Sequence, residues 1–264
     1  MSFPRLLADS PTANLLWEMI ASQVKLRYKR SALGFGWSLL HPLLMMTVFT
    51  VVLGRFPRLA DLPVPYHIFF LSGYLPWTFF AVALQNGQAA LVANASLVRQ
   101  VAFRKWLLPV AAVCANLVHA VLAMLLFVLY LAIHPAIHFH AGVLWIAPLM
   151  LVQTAALVGL ALALSAYVVS FRDLGPLLEV LLTLLFYLTP VFYDFSIFRA
   201  QDATLVSLLK LNPLAALLAC YRAAMFGHAL PVGSFVYVLA WTAGLLAFGA
   251  RVFRRRAGSL AKEL

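Results

Sequence analysis

The sequence predicts an all-α polytopic membrane protein with six transmembrane helices, an N-terminal amphipathic interface helix and a short re-entrant helical hairpin before the last span. Of its 264 residues, 64% are hydrophobic and 10% are charged, whereas soluble chains carry roughly a quarter charged residues. Uncharged stretches long enough to cross a bilayer, which needs about 20 apolar residues, recur along the chain. The net charge of +11 comes from cations beside these stretches. This placement favours contact with membrane lipids and argues against nucleic acid.

Residues 10–30 are expected to form a helix that lies in the membrane interface. Ser10 suits the N-cap and Pro11 the first helical position, and apolar residues then recur opposite a polar stripe. The alternative is a helix packed on a soluble domain, but the sequence contains no such domain. Cations at the end of the helix form a collar before an uncharged stretch, which places this end in the cytoplasm. The residues singled out for the interface helix and collar are Trp17, Lys25, Arg27, Tyr28, Lys29 and Arg30.

Uncharged or nearly uncharged stretches predict the six spans. Most of the 19 Lys and Arg residues then fall in cytoplasmic segments, and both termini lie in the cytoplasm. Five or seven spans would instead place the cluster Arg254, Arg255 and Arg256 outside. No second domain is evident, so residues 1–264 are expected to form one transmembrane domain. The predicted spans are 37–53, 66–90, 109–133, 143–170, 176–192 and 232–253.

The stretch 194–230 differs from the spans because it carries five charged residues between apolar pieces. Each piece has fewer than about 12 residues, against the 20 or so that a crossing requires. Asn212-Pro213 favours a turn. Irregular backbone in a bilayer must line a wet cavity or lie on protein. We therefore expect a helix–turn–helix hairpin that dips in from the outer face and returns to it, with Asn212, Pro213 and Arg222 as its marked residues.

No motif for catalysis or cofactor binding is evident. The chain lacks the GxxxxGK[ST] loop that cradles ATP phosphates, so neither cofactor nor metal is expected in it. His134, His138 and His140 come nearest to a metal cluster, but a wetted interfacial loop explains them better because no Cys or carboxylate lies nearby. His119, alone within a span, is more typical of a packed histidine. A membrane-embedded acyltransferase using these histidines would need a carboxylate or second histidine on the same face.

Aromatic residues cluster in the second and fifth predicted spans. An interfacial belt and ordinary helix packing account for most such rings. The alternative is a pathway lined by rings, which stack on sugar faces without demanding one fixed orientation. The candidates for this pathway are Tyr66, Tyr74, Trp77, Phe80, Phe186, Tyr187 and Tyr193.

Six sequence segments resemble motifs of a known protein family. They are RYKRSALGFGWSLLHPLL at 27–44, SGYLPWTFF at 72–80, NASLVRQVAFRKWLLP at 94–109, FRDLG at 171–175, LTPVFY at 188–193 and LNPLAALLACYR at 211–222. Each alone is weak. As an ordered set over nearly the whole chain, they resemble the motifs of ABC-2-type permeases that export bacterial polysaccharides such as O-antigen, capsule and teichoic acid. Phe103-Arg104-Lys105 departs from the FPR that the family usually shows.

The resemblance implies a transport subunit, not an enzyme, in the cytoplasmic (inner) membrane. Two copies would form a homodimer around the path of a lipid-linked polysaccharide. They would pair with two copies of a separate ABC ATPase, which would hold ATP and Mg. Residues 94–108 would be a cytoplasmic coupling segment with a helix at 98–106, and the hairpin would supply gate helices. An ABC-2 permease for drugs or lipids is the alternative. The residues that would contact the ATPase are Arg99, Phe103, Arg104, Lys105, Arg172 and Asp173.

Overall fold

The structure, a computed structural model, describes residues 10–28, 36–53, 62, 64–101, 103–135, 140–198 and 202–258. Within these ranges the chain is helical and contains no strand, which confirms the all-α prediction for the described residues. Two short 3₁₀ segments, Ala141–Trp145 and Phe195–Ile197, precede α6 and α8. The helices are α1 (Ser10–Tyr28), α2 (Gly36–Leu53), α3 (Tyr66–Ala93), α4 (Ala95–Gln100), α5 (Leu107–Ile133), α6 (Ile146–Val168), α7 (Leu174–Leu188), α8 (Ala203–Lys210), α9 (Pro213–Phe226) and α10 (Val232–Arg256).

Four of the described helices are long and apolar enough to cross a membrane: α3, α5, α6 with its preceding 3₁₀ segment, and α10. The bent pair α8 and α9 raises that number to five if it counts as one broken span. Helices α2 and α7 are apolar but shorter. Every predicted span coincides with a helix. The fifth differs most, because α7 ends at Leu188 and not at residue 192. The six-span count stays a prediction.

Helices α3 and α6 form the centre of the molecule. About three quarters of the apolar stretch of each is buried, against 17% for α10. Helix α3 packs against α2, α5, α6, α7 and α9. Its ring side chains Phe69, Phe70 and Phe80 are accordingly almost fully buried. Helix α10 instead packs mainly along α6 and exposes apolar side chains, including Val236 and Phe248. An exposed apolar face suits a helix at the lipid-facing edge of a membrane protein.

The crossing of α6 and α10 depends on two glycines. A Cβ atom added at Gly249 would overlap the backbone carbonyl of Gly159. A Cβ added at Gly159 would come within 2.6 Å of the Leu245 backbone. Small residues let two helix backbones approach closely, which is how helices commonly pack in membranes, where apolar burial between helices gains little over contact with lipid.

The N-terminal helix α1 packs along α5. Leu16 and Met19 contact the hydrophobic core, whereas Trp17 is 67% exposed on another side of the helix. Leu16 and Trp17 have different surroundings because neighbouring helical positions are about 100° apart. Lys25 is exposed. The interfacial location of this helix stays a prediction. Lys29 and Arg30, and the side chains of Arg27 and Tyr28, lie outside the described part of the chain.

Two of the three clustered histidines have packing roles. His140 accepts a hydrogen bond from the Gly142 backbone (3.1 Å), and its Nε2 lies 3.2 Å from the Met225 carbonyl oxygen. It thereby joins the start of the 3₁₀ segment to the end of α9. The ring of His134 packs against Tyr130 and His67 at centroid distances of 5.4 and 5.6 Å. His138 lies outside the described residues.

Candidate functional site

A cavity of about 440 Å³ lies between α2, α3 and α7. Helix α3 presents one face to it through positions spaced three or four apart, and the exposed part of α7 forms the opposite wall. Four of the seven aromatic candidates from the sequence line this cavity. Its lining residues are Met45, Phe49, Tyr74, Trp77, Ala81, Gln85, Glu179, Leu182, Thr183, Phe186 and Tyr187.

The aromatic rings that line the cavity pack against one another. Phe186 lies 5.5 Å from Trp77 between ring centroids, and its edge meets Tyr74 at 6.5 Å and Tyr187 at 5.4 Å. These tilted and edge-to-face arrangements are the geometries that aromatic pairs prefer. Tyr74 and Trp77 are 7% and 8% exposed, so they present only part of each ring, whereas Tyr187 is 59% exposed. The arrangement gives a fixed aromatic wall with one more accessible ring beside it.

The other three aromatic candidates lie outside this cavity. The Tyr66 hydroxyl donates a hydrogen bond to the Phe192 carbonyl at 2.9 Å, and that of Tyr193 donates to the Tyr187 carbonyl at 3.2 Å. Phe80 is 4% exposed, and its ring packs against that of Trp77 at a centroid distance of 5.9 Å. Their contacts are those of packing residues, and the sequence offered no signal that separated them from the cavity rings.

The segment after α7, residues 189–193, has irregular backbone that is buried in protein. Thr189 and Val191 are 0% exposed. Arg222 donates a hydrogen bond to the Val191 carbonyl at 2.9 Å, and Asn212 donates one from Nδ2 to the Thr189 hydroxyl at 2.9 Å. With the Tyr66 bond to Phe192, side chains from α3 and from both ends of the α9 region hold this segment. It continues directly from the cavity rings of α7, so these bonds position the rim of the cavity.

Arg222 also contacts α3 through its guanidinium. Its Cζ lies 3.8 Å from the centroid of the Phe69 ring, and its Nε lies 3.4 Å from the Ser72 hydroxyl oxygen. Gly73 leaves the room for this contact, since an added Cβ would come within 2.8 Å of the Val191 carbonyl oxygen and 2.9 Å of the guanidinium. The sequence marked Arg222 only as part of a hairpin. Of its partners on α3, Ser72 and Gly73 fall within the SGYLPWTFF segment, which was the available signal.

The turn predicted at Asn212-Pro213 is confirmed, but the hairpin is not antiparallel. Asn212 caps α9 by accepting a hydrogen bond from the Leu214 backbone at 3.0 Å, and Pro213 occupies the first turn of that helix. The chain bends by 79° between α8 and α9, so α9 leaves almost at a right angle to α8. The reason is burial: α9 packs among α3, α6 and α10, where the Tyr221 hydroxyl donates to Gln153 at 2.9 Å.

The predicted coupling segment contains a helix, but a shorter one than the 98–106 helix that the resemblance implied. Helix α4 ends at Gln100, and the backbone from Phe103 to Trp106 forms turns. Val98 anchors α4 in the core at 3% exposure, while Arg99 is exposed. Arg104 donates a hydrogen bond to the Thr12 hydroxyl at 3.2 Å and so joins the segment to α1. Phe103 and Lys105 are half-buried beside it.

The two predicted coupling regions lie at the same end of the molecule. Gly175, at the start of α7, is near the Gln88 side chain in the last part of α3. Arg172 and Asp173 are exposed in the turn just before α7. Arg256 at the end of α10 donates to the Ser170 hydroxyl at 2.9 Å and stacks on the Tyr167 ring. This end therefore gathers cations from several helices, a charge pattern that suits anionic lipid head groups or an acidic protein partner.

The comparisons with known proteins agree with this architecture. The ABC-2 type transporter family matches residues 14–226. The chain is 32% identical over 256 residues to the O-antigen export system permease protein RfbA of Myxococcus xanthus, and the match covers 95% of each protein. Two proteins of the same description from Klebsiella pneumoniae are 26% and 25% identical, each over 79% of both chains. On this match to most of its length, the chain belongs to the ABC-2 type transporter family of membrane permeases.

Proposed function

We propose that this chain is the membrane subunit of an ABC exporter that moves a lipid-linked polysaccharide across the cytoplasmic (inner) membrane. The aromatic cavity carries the proposal. Rings from α3 and α7 converge on one space, where they can stack on the apolar faces of successive sugars. The relatives described as O-antigen export permeases match over most of the chain, which favours a glycan substrate over a drug or lipid.

We propose six spans, with α2 and α7 crossing the membrane beside the four longer helices. The 15 residues of α7 rise only about 22 Å, against a hydrocarbon core of roughly 30 Å. The irregular segment 189–193 would complete the crossing. Arg222 and Tyr66 satisfy the Val191 and Phe192 carbonyls, and polar backbone groups at membrane depth require such partners. The Arg254–Arg256 cluster then favours a cytoplasmic location for both termini.

A homodimer is the assembly we propose. The outer face of α7 exposes Leu177, Val180, Leu181 and Leu184, and it borders the cavity. A second copy packed against this face would place two cavities opposite each other and enclose a path that one copy leaves open. The polymer would then slide between two aromatic walls.

Two copies of an ABC ATPase would bind the end that carries the coupling segment. Arg99, Arg104, Lys105 and Arg172 would meet the partner, with Phe103 and Asp173 beside them. The partner would hold ATP and Mg, and its closure would push α4 and the turns on either side of it. Since only Asn94 separates α4 from α3, that push would pass to the cavity wall through a single residue.

The function is tested in inverted membrane vesicles that contain this chain together with its ATPase partner. We expect ATP-dependent uptake of a fluorescent polyprenyl-diphosphate oligosaccharide that requires both subunits. ATP hydrolysis by the clean, isolated chain would contradict the division of labour. Uptake of an amphipathic drug or a phospholipid probe in place of the glycan would instead indicate an ABC-2 permease for drugs or lipids.

The topology is tested separately by cysteine labelling in a background that lacks Cys114 and Cys220. Single cysteines at Asp202 and Gly227 flank the α8–α9 pair, and both should react with an impermeant reagent from outside. If one position reacts only from the cytoplasm, the pair crosses the membrane, and both the six-span count and the gate assignment are wrong.

A further inference from the structure

The cavity has a polar end that the aromatic wall does not explain. Gln85 and Glu179 lie there, on α3 and α7, and Glu179 is exposed. Among the described residues that line the cavity there is no Lys, Arg or His, and Glu179 alone of them carries a formal charge. An acidic residue within an apolar helix at membrane depth is costly, and such residues usually mark a pathway or a binding site.

The polar end faces the coupling segment. Gln85 precedes the end of α3 by eight residues, about 12 Å, and Glu179 follows the start of α7 by five residues, about 7 Å. These two helix ends lie together, as the proximity of Gly175 to Gln88 shows. Material that enters from this end reaches Gln85 and Glu179 before it reaches the rings of Trp77 and Phe186.

We infer that Glu179 makes the cavity selective for glycans without negative charge; this inference rests on the proposed function. A carboxylate accepts hydrogen bonds from two neighbouring sugar hydroxyls, and the Gln85 amide can both donate and accept beside it. The Thr183 hydroxyl donates its hydrogen to the backbone carbonyl of Glu179 at 3.0 Å, so it does not donate to a sugar. A neutral sugar gains these bonds at the polar end and then stacks on the rings.

An anionic glycan meets a like charge at the same point. No cation of the described lining compensates for a uronate or a phosphodiester that enters the cavity. Like charges about 6 Å apart in a partly wetted site repel strongly enough to change a transport rate by at least about tenfold. The cations at the coupling end lie outside the cavity lining. Glu179 therefore acts after the cationic surface, as a filter that distinguishes neutral from acidic repeat units.

The test uses the complete exporter in inverted vesicles and two probes that share one polyprenyl-diphosphate lipid. One probe carries four neutral hexoses, and the other carries glucuronate at alternate positions. We expect the intact protein to transport the neutral probe at least about tenfold faster. Glu179→Gln should bring the two rates within about threefold by raising transport of the acidic probe, and Glu179→Lys should reverse the preference. Glu18→Gln makes the same charge change on exposed α1, away from the cavity, and should keep the original ratio.

Each other outcome has a definite meaning. Equal transport of both probes by the intact protein overturns the selectivity and leaves the proposed function standing. A Glu179→Gln variant that lowers both rates in parallel also overturns it, since Glu179 would then act in folding or coupling. Transport of neither probe, with ATPase activity intact, refutes the proposed function itself, and the selectivity falls with it.

Discussion

Replacing Arg222 with Met tests whether the contacts of its guanidinium with α3 and Val191 stabilise the rim of the cavity. Met keeps much of the aliphatic length and removes the guanidinium. The Val191 carbonyl, which belongs to a residue with 0% exposure, then loses its donor at 2.9 Å. The Phe69 ring loses the cation that stacks at 3.8 Å. The Nε contact to Ser72 is long at 3.4 Å and adds little.

The expected loss follows from these two contacts. A hydrogen bond from a charged donor contributes about 1.5–3 kcal/mol, and its removal leaves a buried acceptor unpaired. A partly desolvated cation–π contact adds about 0.5–2 kcal/mol. Together they amount to about 2–5 kcal/mol, and Met keeps the apolar part of the side chain. For a chain of this size each kcal/mol corresponds to about 2–4 °C, so the apparent Tm should fall by roughly 10 °C.

Two measurements check this reasoning. Thermal unfolding of the purified protein in detergent gives the change in Tm, with Arg251→Met on the exposed side of α10 as the matched control. Hydrogen exchange reports the local effect, and the amides of Thr189 and of residues 191–193 should exchange at least about thirtyfold faster in Arg222→Met. A Tm shift no larger than that of the control, with unchanged hydrogen exchange, would refute the stabilising role assigned to Arg222.

Three further predictions concern packing, the pathway and coupling. Gly249→Val should prevent the close crossing of α6 and α10 and sharply lower the yield of folded protein on size exclusion, whereas Gly244→Val, with open space around it, should fold normally. Trp77→Ala should lower glycan transport per folded molecule at least about fivefold, because stacking is worth about 1 kcal/mol or more; unchanged transport with lower expression would make the ring a packing residue. Reversing the charges of Arg104 and Lys105 should reduce ATPase co-purification without preventing membrane insertion. A normal complex with normal transport would leave these cations a topological role only.

Sequence patterns placed the helices closely because those patterns are local. The uncharged stretches correspond to α2, α3, α5, α6, α7 and α10, and the turn at Asn212-Pro213 lies where proline excludes a continuous helix. The end of α7 was extended too far because residues 189–193 carry no charge, although Pro190 disfavours helical backbone at Thr189. Their backbone leaves the helix because side chains distant in sequence satisfy it.

The cavity could be predicted only in part. Composition indicated which spans are rich in rings, but every side of α3 carries aromatic or apolar residues, so periodicity could not say which of them face a cavity. Trp77 and Phe186 are more than a hundred residues apart, and their contact depends on how α3 and α7 pack. Glu179 lies within the predicted span 176–192, yet nothing in its neighbourhood along the chain indicates that Gln85 lies across the same space.

The sequence by itself determined the membrane class, the positions of the apolar helices and the family, since hydrophobic length, flanking charge and motif order are properties of the chain. Tertiary structure decided which rings line the cavity and which are core, how far α9 turns from α8, and what holds the segment after α7. The last of these depends on the close approach of α3 to Val191 at Gly73 and on the long reach of Arg222. Each is a contact between distant residues, which no local pattern encodes.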